Sequence, residues 1–551
     1  MEHGSVETAR QYCLRHMSLM MEALDTPEAE RSRVHCLSDG SDPVTFSELG
    51  RRSRRAGAWL EGLAGRGGAV AALLSASHDC LAILFGALRS GLTLVSLPHP
   101  ARGMAGEGYV AQIQKMCALT GTEHVLCEPA LTSLLQGSVG VSVHGFGDHG
   151  SHHRMNGGDT PGRLVQFTSG STSSPRGVAL SLDAIDANLD SMYGWLAPAA
   201  GAVVCSWLPL SHDMGLIGLA LYGVCSVSPP WSTPTDVVLM TPEWFLTDPD
   251  RWMAACTDYR ATSTTSPPFG LRLAARALRS ASRSCDLSSI RSFVVGSEPV
   301  PAESLRAFGT AAEQFGLSPN ALCPGYGMAE ATVAVAIGST REPWTSVRVE
   351  TDALTREVWA ETSEGGTELV SCGCPIPRVE VRVADGAPLG ELEIKSPSLL
   401  DRYVGDPQAP LTPDGWLHTA DLGSLRAGEV YVVGRTDDMI VVAGRNLDAR
   451  ALDDLVGNHP GCRPGNAACI PDGEGRFVVV AEPDSAEADA AALRSVARAV
   501  RVSLVGRFSA GPSSVVFIER GTFPKTPSGK VRRNHLRALW AEDKLARITT
   551  G

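Results

Sequence analysis

The chain has 551 residues, too many for one small domain, so two or more units with a large buried core are expected. Hydrophobic residues at 43% and charged residues at 20% exclude a largely disordered protein. With 60 acidic against 48 basic residues the net charge is −12, which argues against a general nucleic-acid binder while leaving room for a local basic patch.

The chain opens on MEHGSVETARQYC, with acids where an export signal has a basic start and an apolar core. Ala69–Ser75 reads as a strand, Asp79–Leu88 as a helix and Leu92–Leu97 as a second strand. The apolar run through Leu81–Leu97 is broken by Arg89 and Ser90, short of the roughly 20 clean residues a membrane span needs. Val203–Leu208, Val237–Met240, Ala261–Thr265 and Ser292–Val295 are further short β-type runs. Phe269–Arg279 and Ala302–Phe315 read as helices between or after them. That alternation predicts an α/β fold of layered, mostly parallel sheets, with ligands beyond the carboxyl ends of the strands.

From about Ala384 the texture changes to shorter strands, Gly390–Lys395, Glu429–Val433 and Met439–Val442, which read as a small β subdomain. The last hundred or so residues read as a small α+β unit with helices at Ala449–Val456 and Ala486–Arg501. The expected division is a large unit over 1–434 and a small mobile one over 435–551. The 14 cysteines are scattered singly, and Cys372 with Cys374 lacks the second ligand pair of a zinc site. They read as reduced, mostly buried thiols of a cytoplasmic protein.

The densest chemical signal is LVQFTSGSTSSPRGVALS, Leu164–Ser181. An apolar run leads into a loop of Ser, Thr and Gly in which Gly170 and Gly177 permit close backbone approach. Its hydroxyls and amides can wrap phosphate oxygens, with Arg176 as a nearby cation. No Gly-Lys-Ser/Thr follows at the Walker offset, and a flexible Ser-rich linker is the plainer alternative.

This segment resembles the phosphate loop of the adenylate-forming superfamily of acyl-CoA synthetases, peptide-synthetase adenylation domains and luciferases. WLPLSHDMGLIG (Trp207–Gly218), GSEPV (Gly296–Val300), PGYGMAEAT (Pro324–Thr332), GWLHTADLG (Gly415–Gly423), GRTDDMIVVAGRN (Gly434–Asn446) and FPKTPSGKVRR (Phe523–Arg533) follow in that family's order. Taken singly, most of their residues have plain structural readings; it is the ordered set that carries the resemblance.

The resemblance implies ATP and Mg²⁺ as cofactors and a carboxylic acid as substrate. Thr168, Ser169, Gly170, Ser171, Thr172 and Arg176 would face the phosphates. Gly296, Ser297, Glu298 and Pro299, with Gly325, Tyr326, Gly327 and Met328, would enclose adenine, the Tyr326 ring stacking on it. Asp421 would accept from the ribose hydroxyls beside Arg435. Glu330, with Thr168, would hold the metal. His212 would position the acyl and phosphate junction, and Lys530 would bridge the two anions in the transition state. Asp437 matches the hinge position. Trp207, Met214 and the Thr264–Pro268 loop are expected acyl-pocket walls.

In wording the chain is most similar to the fatty acyl-AMP ligases of that superfamily. The long stretch between Glu330 and Ser371 is similar to an insertion of that branch associated with poor use of CoA. The resemblance then implies transfer to the phosphopantetheine thiol of an acyl carrier protein, while the acidic balance and the broken apolar run lead to the expectation of no nucleic acid and no membrane span. Arg51, Arg52, Arg54 and Arg55 form one basic cluster that could meet an acidic partner, or a solvated helix face. A CoA-forming ligase and a non-catalytic adenylate-binding protein are the alternatives. Arg176 stands where many relatives have Lys, Ala443 where they carry something bulkier, and Asp448 and Ala449 also depart from the branch.

Overall fold

The computed structural model describes residues 18–100, 106–147, 162–168, 176–280, 285–436, 439–442, 445–473, 475–508, 510–525 and 531–548. The elements run β1 Arg33–Cys36, β2 Val44–Thr45, α1 Phe46–Ala64, β3 Ala69–Leu73, α2 His78–Arg89, β4 Thr93–Leu97, α3 Gly106–Thr120, β5 His124–Cys127, β6 Ser142–Gly145, β7 Arg163–Thr168, β8 Arg176–Ser181 and α4 Leu182–Leu196. Then come β9 Ala202–Ser206, β10 Thr235–Leu239, β11 Ser263–Ser266, α5 Pro268–Ser280, β12 Ser292–Val295, α6 Ala302–Glu313, β13 Leu322–Tyr326, β14 Ala336–Ile337, β15 Ser346–Val349, β16 Thr367–Val370 and β17 Cys374–Pro375. The remainder is β18 Glu380–Val383, β19 Gly390–Lys395, β20 Arg402–Tyr403, β21 Leu417–Arg426, β22 Glu429–Arg435, β23 Met439–Val442, β24 Arg445–Asp448, α7 Ala449–Gly457, β25 Cys462–Pro471, β26 Phe477–Pro483, α8 Ala490–Phe508, β27 Ser514–Phe517 and α9 Arg533–Ala541.

Two large sheets dominate, ordered β20-β8-β7-β4-β3-β5-β6 and β17-β14-β13-β12-β11-β9-β10-β1-β2. Strands β3, β4, β5, β6 and β7 are mutually parallel, as are β1, β9, β10, β11, β12 and β13, while β8 and β20 at one edge of the first sheet and β2, β14 and β17 at the edges of the second pair antiparallel. This is the predicted α/β architecture. The interior strands are buried on both faces, as Val70 to Leu73 show, because helices cover a parallel sheet on either side; hence their continuous apolar runs. Helix α1 starts on Thr45, whose side chain accepts from the Glu48 amide.

A four-stranded antiparallel sheet, β18-β19-β21-β22, follows, and the C-terminal region is an α+β unit on a sheet ordered β25-β26-β27. Strand β22 runs through Arg435, the residue at which the second expected unit begins. The helix expected from Ala486 starts instead at Ala490 and continues to Phe508. The reason is local: the Asp489 carboxylate accepts from the Ala492 amide, so the chain turns helical only after that cap.

Every described cysteine is a free thiol, and most are buried. Burial pushes the Cys117 thiol up to about 11 and those of Cys80, Cys323, Cys372 and Cys462 up to about 12. Among the described residues no helix is long and apolar enough to cross a membrane.

Candidate active site

The strands β11, β12 and β13 are in parallel register, with Ser266 opposite Val295 and Val295 opposite Pro324, so the segments that follow them emerge along one edge. There Gly296 meets the end of β13 so closely that a Cβ would lie 2.7 Å from the Gly325 carbonyl oxygen. Ser297 adopts φ 74°, a left-handed conformation costing a non-glycine residue on the order of 1 kcal/mol. Gly327 is tighter still, since a Cβ would fall 1.7 Å from the Val333 carbonyl oxygen. The two turns expected to enclose a base are therefore neighbours. Met328 packs against the main core, while Ser297, Glu298 and Pro299 are half-buried.

Tyr326 closes β13, and its hydroxyl donates to Asp421 Oδ2 at 2.7 Å within the protein interior. Asp421 stands opposite Arg435 in the β21–β22 ladder, and Arg435 Nε lies 3.5 Å from Asp421 Oδ1. The ring predicted to stack on adenine thus also tethers the predicted ribose carboxylate. Burial, followed by the Asp421 charge, holds the Tyr326 hydroxyl well above its usual range.

Glu330 follows four residues later, in a short turn of helix. Its Oε1 accepts from the Tyr403 hydroxyl at 3.0 Å. Burial raises its pKa, opposed by hydrogen bonds, including that from Tyr403, and by the Arg435 charge; Asp213 pushes it up further. Arg435 therefore acts on Asp421 and on Glu330 together. The loop after Glu330 is held by Asn188 of α4, whose amide nitrogen donates to the carbonyls of Ala331 and Ala334 while its oxygen accepts from the Ala334 amide.

Thr168 and Arg176 are cross-strand partners in the β7–β8 ladder, so both ends of the predicted phosphate loop meet. Ser169, Gly170, Ser171 and Thr172 lie outside the described residues, as do Lys530 and Asp437. The Arg176 guanidinium lies 5.2 Å from the centre of the Tyr403 ring. His212 precedes a short helix, with Nδ1 2.5 Å from Asp213 Oδ1 and 3.3 Å from the Met214 amide nitrogen. The Met214 amide is shared, donating to Asp213 Oδ1 at 2.7 Å and to His212 Nδ1 at 3.3 Å. Trp207, an expected acyl-pocket wall, is 1% exposed and stacked 4.1 Å from Phe245, which makes it a core residue. Met214 is buried against the same core.

The segments flanking the loop that bears Lys530 are anchored within the C-terminal region. The fully buried Glu482 accepts from Arg463 at 2.7 Å, from Asn466 at 2.5 Å, and from the amides of Gly521 at 2.6 Å and Phe523 at 3.0 Å. On the other side Arg533 pairs with Asp453 at 2.7 Å and donates to the Cys469 carbonyl at 2.7 Å. Lys525, whose burial lowers its pKa to about 8, is subject to the charges of Glu298 and Arg272. Sequence reasoning passed over Tyr403, Asn188, Glu482 and the Asp453–Arg533 pair.

Residues 24–404 match the family of AMP-binding enzymes. The long-chain fatty-acid–AMP ligase FadD26 of Mycobacterium marinum is 33% identical over 67% of this chain and 68% of its own length. The chain belongs to the AMP-binding enzyme family. As an AMP-binding enzyme it is an acid-activating, adenylate-forming ligase. FadD26 of Mycobacterium bovis aligns over 96% of this chain and 98% of its own length at 29% identity. FadD25 of Mycobacterium tuberculosis, which carries the name of a fatty-acid–CoA ligase, is 29% identical over 92% of this chain and 93% of its own. A solved chain from work on fatty acyl-adenylate ligases of E. coli and L. pneumophila has a TM-score of 0.87 at 23% identity, covering 96% of this chain and 98% of that one; it establishes the fold.

Proposed function

We propose that this AMP-binding enzyme activates a fatty acid with ATP and passes the acyl group to the phosphopantetheine thiol of an acyl carrier protein, in a polyketide or nonribosomal peptide pathway of the cytoplasm. One observation carries the reading: the Tyr326 hydroxyl holds Asp421, which lies beside Arg435, and Glu330 follows four residues after Tyr326, so the nucleoside-side and phosphate-side acids flank one short segment. A carboxylate oxygen of the acid attacks the α-phosphorus, the bond to pyrophosphate breaks, and pyrophosphate leaves with the electron pair. Residues Thr168 to Thr172 and Arg176 hold the polyphosphate; Tyr326, Asp421 and Arg435 hold the nucleoside; His212 positions the reacting junction. Lys530 bridges the two anions and offsets their repulsion as they meet.

Glu330 and Thr168 offer the hard oxygens that Mg²⁺ prefers. Among the described residues no group of three His, Cys, Asp or Glu could hold a metal, so the phosphates would complete its shell. Magnesium, when bound, offsets phosphate charge. In the second step the pantetheine thiol loses its proton to solvent, its sulfur adds to the acyl carbonyl, and the acyl carbon–oxygen bond breaks so that AMP leaves with the electron pair.

The choice of acceptor is supported by the stretch between Glu330 and Ser371. It carries a hairpin, β15–β16, rather than an extended surface loop, and Glu368 of that hairpin pairs with Arg306 of α6. Val349, Leu354 and Leu369 share a small core with Leu422, Tyr431 and Val433, against which Met439 packs. An acidic carrier finds exposed Arg272, Arg276 and Arg279 along α5. Within the earlier candidate cluster, Arg51 and Arg52 pair with Glu48, and Arg54 with Asp25. The likeness to FadD25 keeps a CoA-forming ligase as the second reading.

Enzyme, MgATP and a panel of short, aromatic and long-chain acids are mixed with CoA or with a phosphopantetheinylated carrier protein, and thioesters are read by mass. Acyl-carrier product with little acyl-CoA is expected. Robust acyl-CoA overturns the choice of acceptor; no acid-dependent pyrophosphate release with any acid overturns the fatty-acid assignment.

A further inference from the structure

One short segment stitches the two large sheets together at the cleft. Its backbone pairs with the strand that leaves the phosphate loop: the Asp401 amide donates to Ala179 at 2.9 Å and the Val404 amide to Gly177 at 2.7 Å. Its other end binds the turn that carries Glu330. The Leu400 amide donates to the Glu330 carbonyl at 2.8 Å, and the Thr332 hydroxyl donates to the Ser398 carbonyl at 2.7 Å. The Asn188 amide that secures the same turn also donates to Ser398 Oγ at 3.1 Å. Backbone and buried polar contacts therefore fix this strap on both sides.

Tyr403 is the side chain that the strap delivers into the gap. Strand pairing sets it opposite Val178, two residues from Arg176. Its hydroxyl reaches Glu330 Oε1 at 3.0 Å and its ring faces the Arg176 guanidinium at 5.2 Å. A carboxylate on a flexible side chain can swing through several rotamers, and a directed hydrogen bond to one oxygen removes most of that freedom. The ring face gives the exposed Arg176 cation a resting place on the same tyrosine. Acid and cation are thus aligned from one tyrosine.

We propose that Tyr403 is a positioning residue that sets the Glu330 carboxylate against Arg176, so that the cleft reads the metal-bound polyphosphate of ATP separately from the nucleoside. The proposal rests on the functional reading above, which assigns Glu330 and Arg176 to the phosphate side. Tyr403 itself touches no reacting atom in that reading. The nucleoside side has its own tyrosine, Tyr326, tethering Asp421, so the two halves of the ligand should respond to different substitutions.

The test is calorimetric binding of MgATP and of AMP, without acid, to wild type, Tyr403→Phe, Glu330→Gln and the double variant. Tyr403→Phe keeps the ring and loses the hydroxyl. It should weaken MgATP about tenfold, as expected for one hydrogen bond to a charged group, and leave AMP within twofold. The double variant should bind MgATP no worse than Glu330→Gln alone, because the hydroxyl acts through that acid. Tyr403→Leu, which also removes the ring, should weaken MgATP further, again sparing AMP. Unchanged MgATP affinity in Tyr403→Phe, equal losses for MgATP and AMP, or additive losses in the double variant each overturn the proposal. Wild type that binds AMP but not MgATP overturns the phosphate-side reading as well, and so separates the two failures.

Discussion

The two regions of the molecule hold their polar chemistry in opposite ways. In the sheets before β23, the site side chains stand over an apolar interior and are joined in pairs, Tyr326 with Asp421 and Tyr403 with Glu330. In the C-terminal region the chain on either side of the lysine loop is clamped by buried charge, Glu482 before it and Asp453–Arg533 after it. The difference teaches how each part can treat a ligand. A tyrosine–carboxylate pair can exchange its hydrogen bonds for those of a nucleotide. A buried acid holding Gly521 and Phe523 by their amides has nothing to exchange, so the loop ends are fixed whether or not ligand is present.

The comparison breaks most sharply at Lys530. Its replacement by Ala should lower acid-dependent pyrophosphate release by about 100- to 1,000-fold, the range for losing one electrostatic stabiliser of a transition state; undiminished release would remove the lysine from the chemistry. Next is Arg533→Ala, which strands the Asp453 carboxyl. It should cost about 3–5 kcal/mol in urea unfolding of the C-terminal region, as when one partner of a buried ion pair is deleted; a loss below about 1 kcal/mol would make the clamp an ordinary surface pair.

Asp421→Asn sharpens the other side. It should weaken ATP and AMP alike by about 10- to 100-fold in binding assays, the loss expected for hydrogen bonds to a charged group. Selective loss of ATP alone would place Asp421 with the phosphates.

The smallest effect is expected away from the site, at Asp186 of α4. Its Oδ2 accepts from the Leu19 amide at 3.0 Å, while Oδ1 is buried without a partner among the described residues. Burial raises its pKa to about 7, so the folded chain keeps a proton that the unfolded chain releases near 4. That contribution is full below about pH 4 and lost as pH rises to about 7. Asp186→Asn should remove this slope, so the melting temperature of the variant relative to wild type should rise by about 1–2 °C between pH 5 and 8. Parallel curves would refute the buried proton.

Much of this was legible in the residues themselves. Strands β3, β4, β10 and β12 are short runs dominated by apolar residues because both faces are covered, and their length and composition find them. The turns at Gly296 and Gly327 were legible because no side chain fits there, a constraint that leaves its mark locally. Tyr403 left no such mark. Its partners Glu330 and Arg176 are distant in the chain, and only the strap brings them together. Glu482 was hidden by its neighbours: it stands next to last in the run FVVVAEP, where an acid looks like the solvent-facing close of a strand, yet it is completely buried. Arg533 likewise reads as one of several surface cations after Lys530 until its carboxylate partner is seen.

The buried sulfurs have a consequence for the chemistry. An acyl adenylate is a potent acylating agent, and a thiolate of the protein itself would be its most dangerous neighbour. With the thiols at Cys80, Cys117, Cys323, Cys372 and Cys462 held protonated far above neutral pH, those side chains cannot intercept the activated acid. The mixed anhydride is then unspoiled by self-modification at those positions.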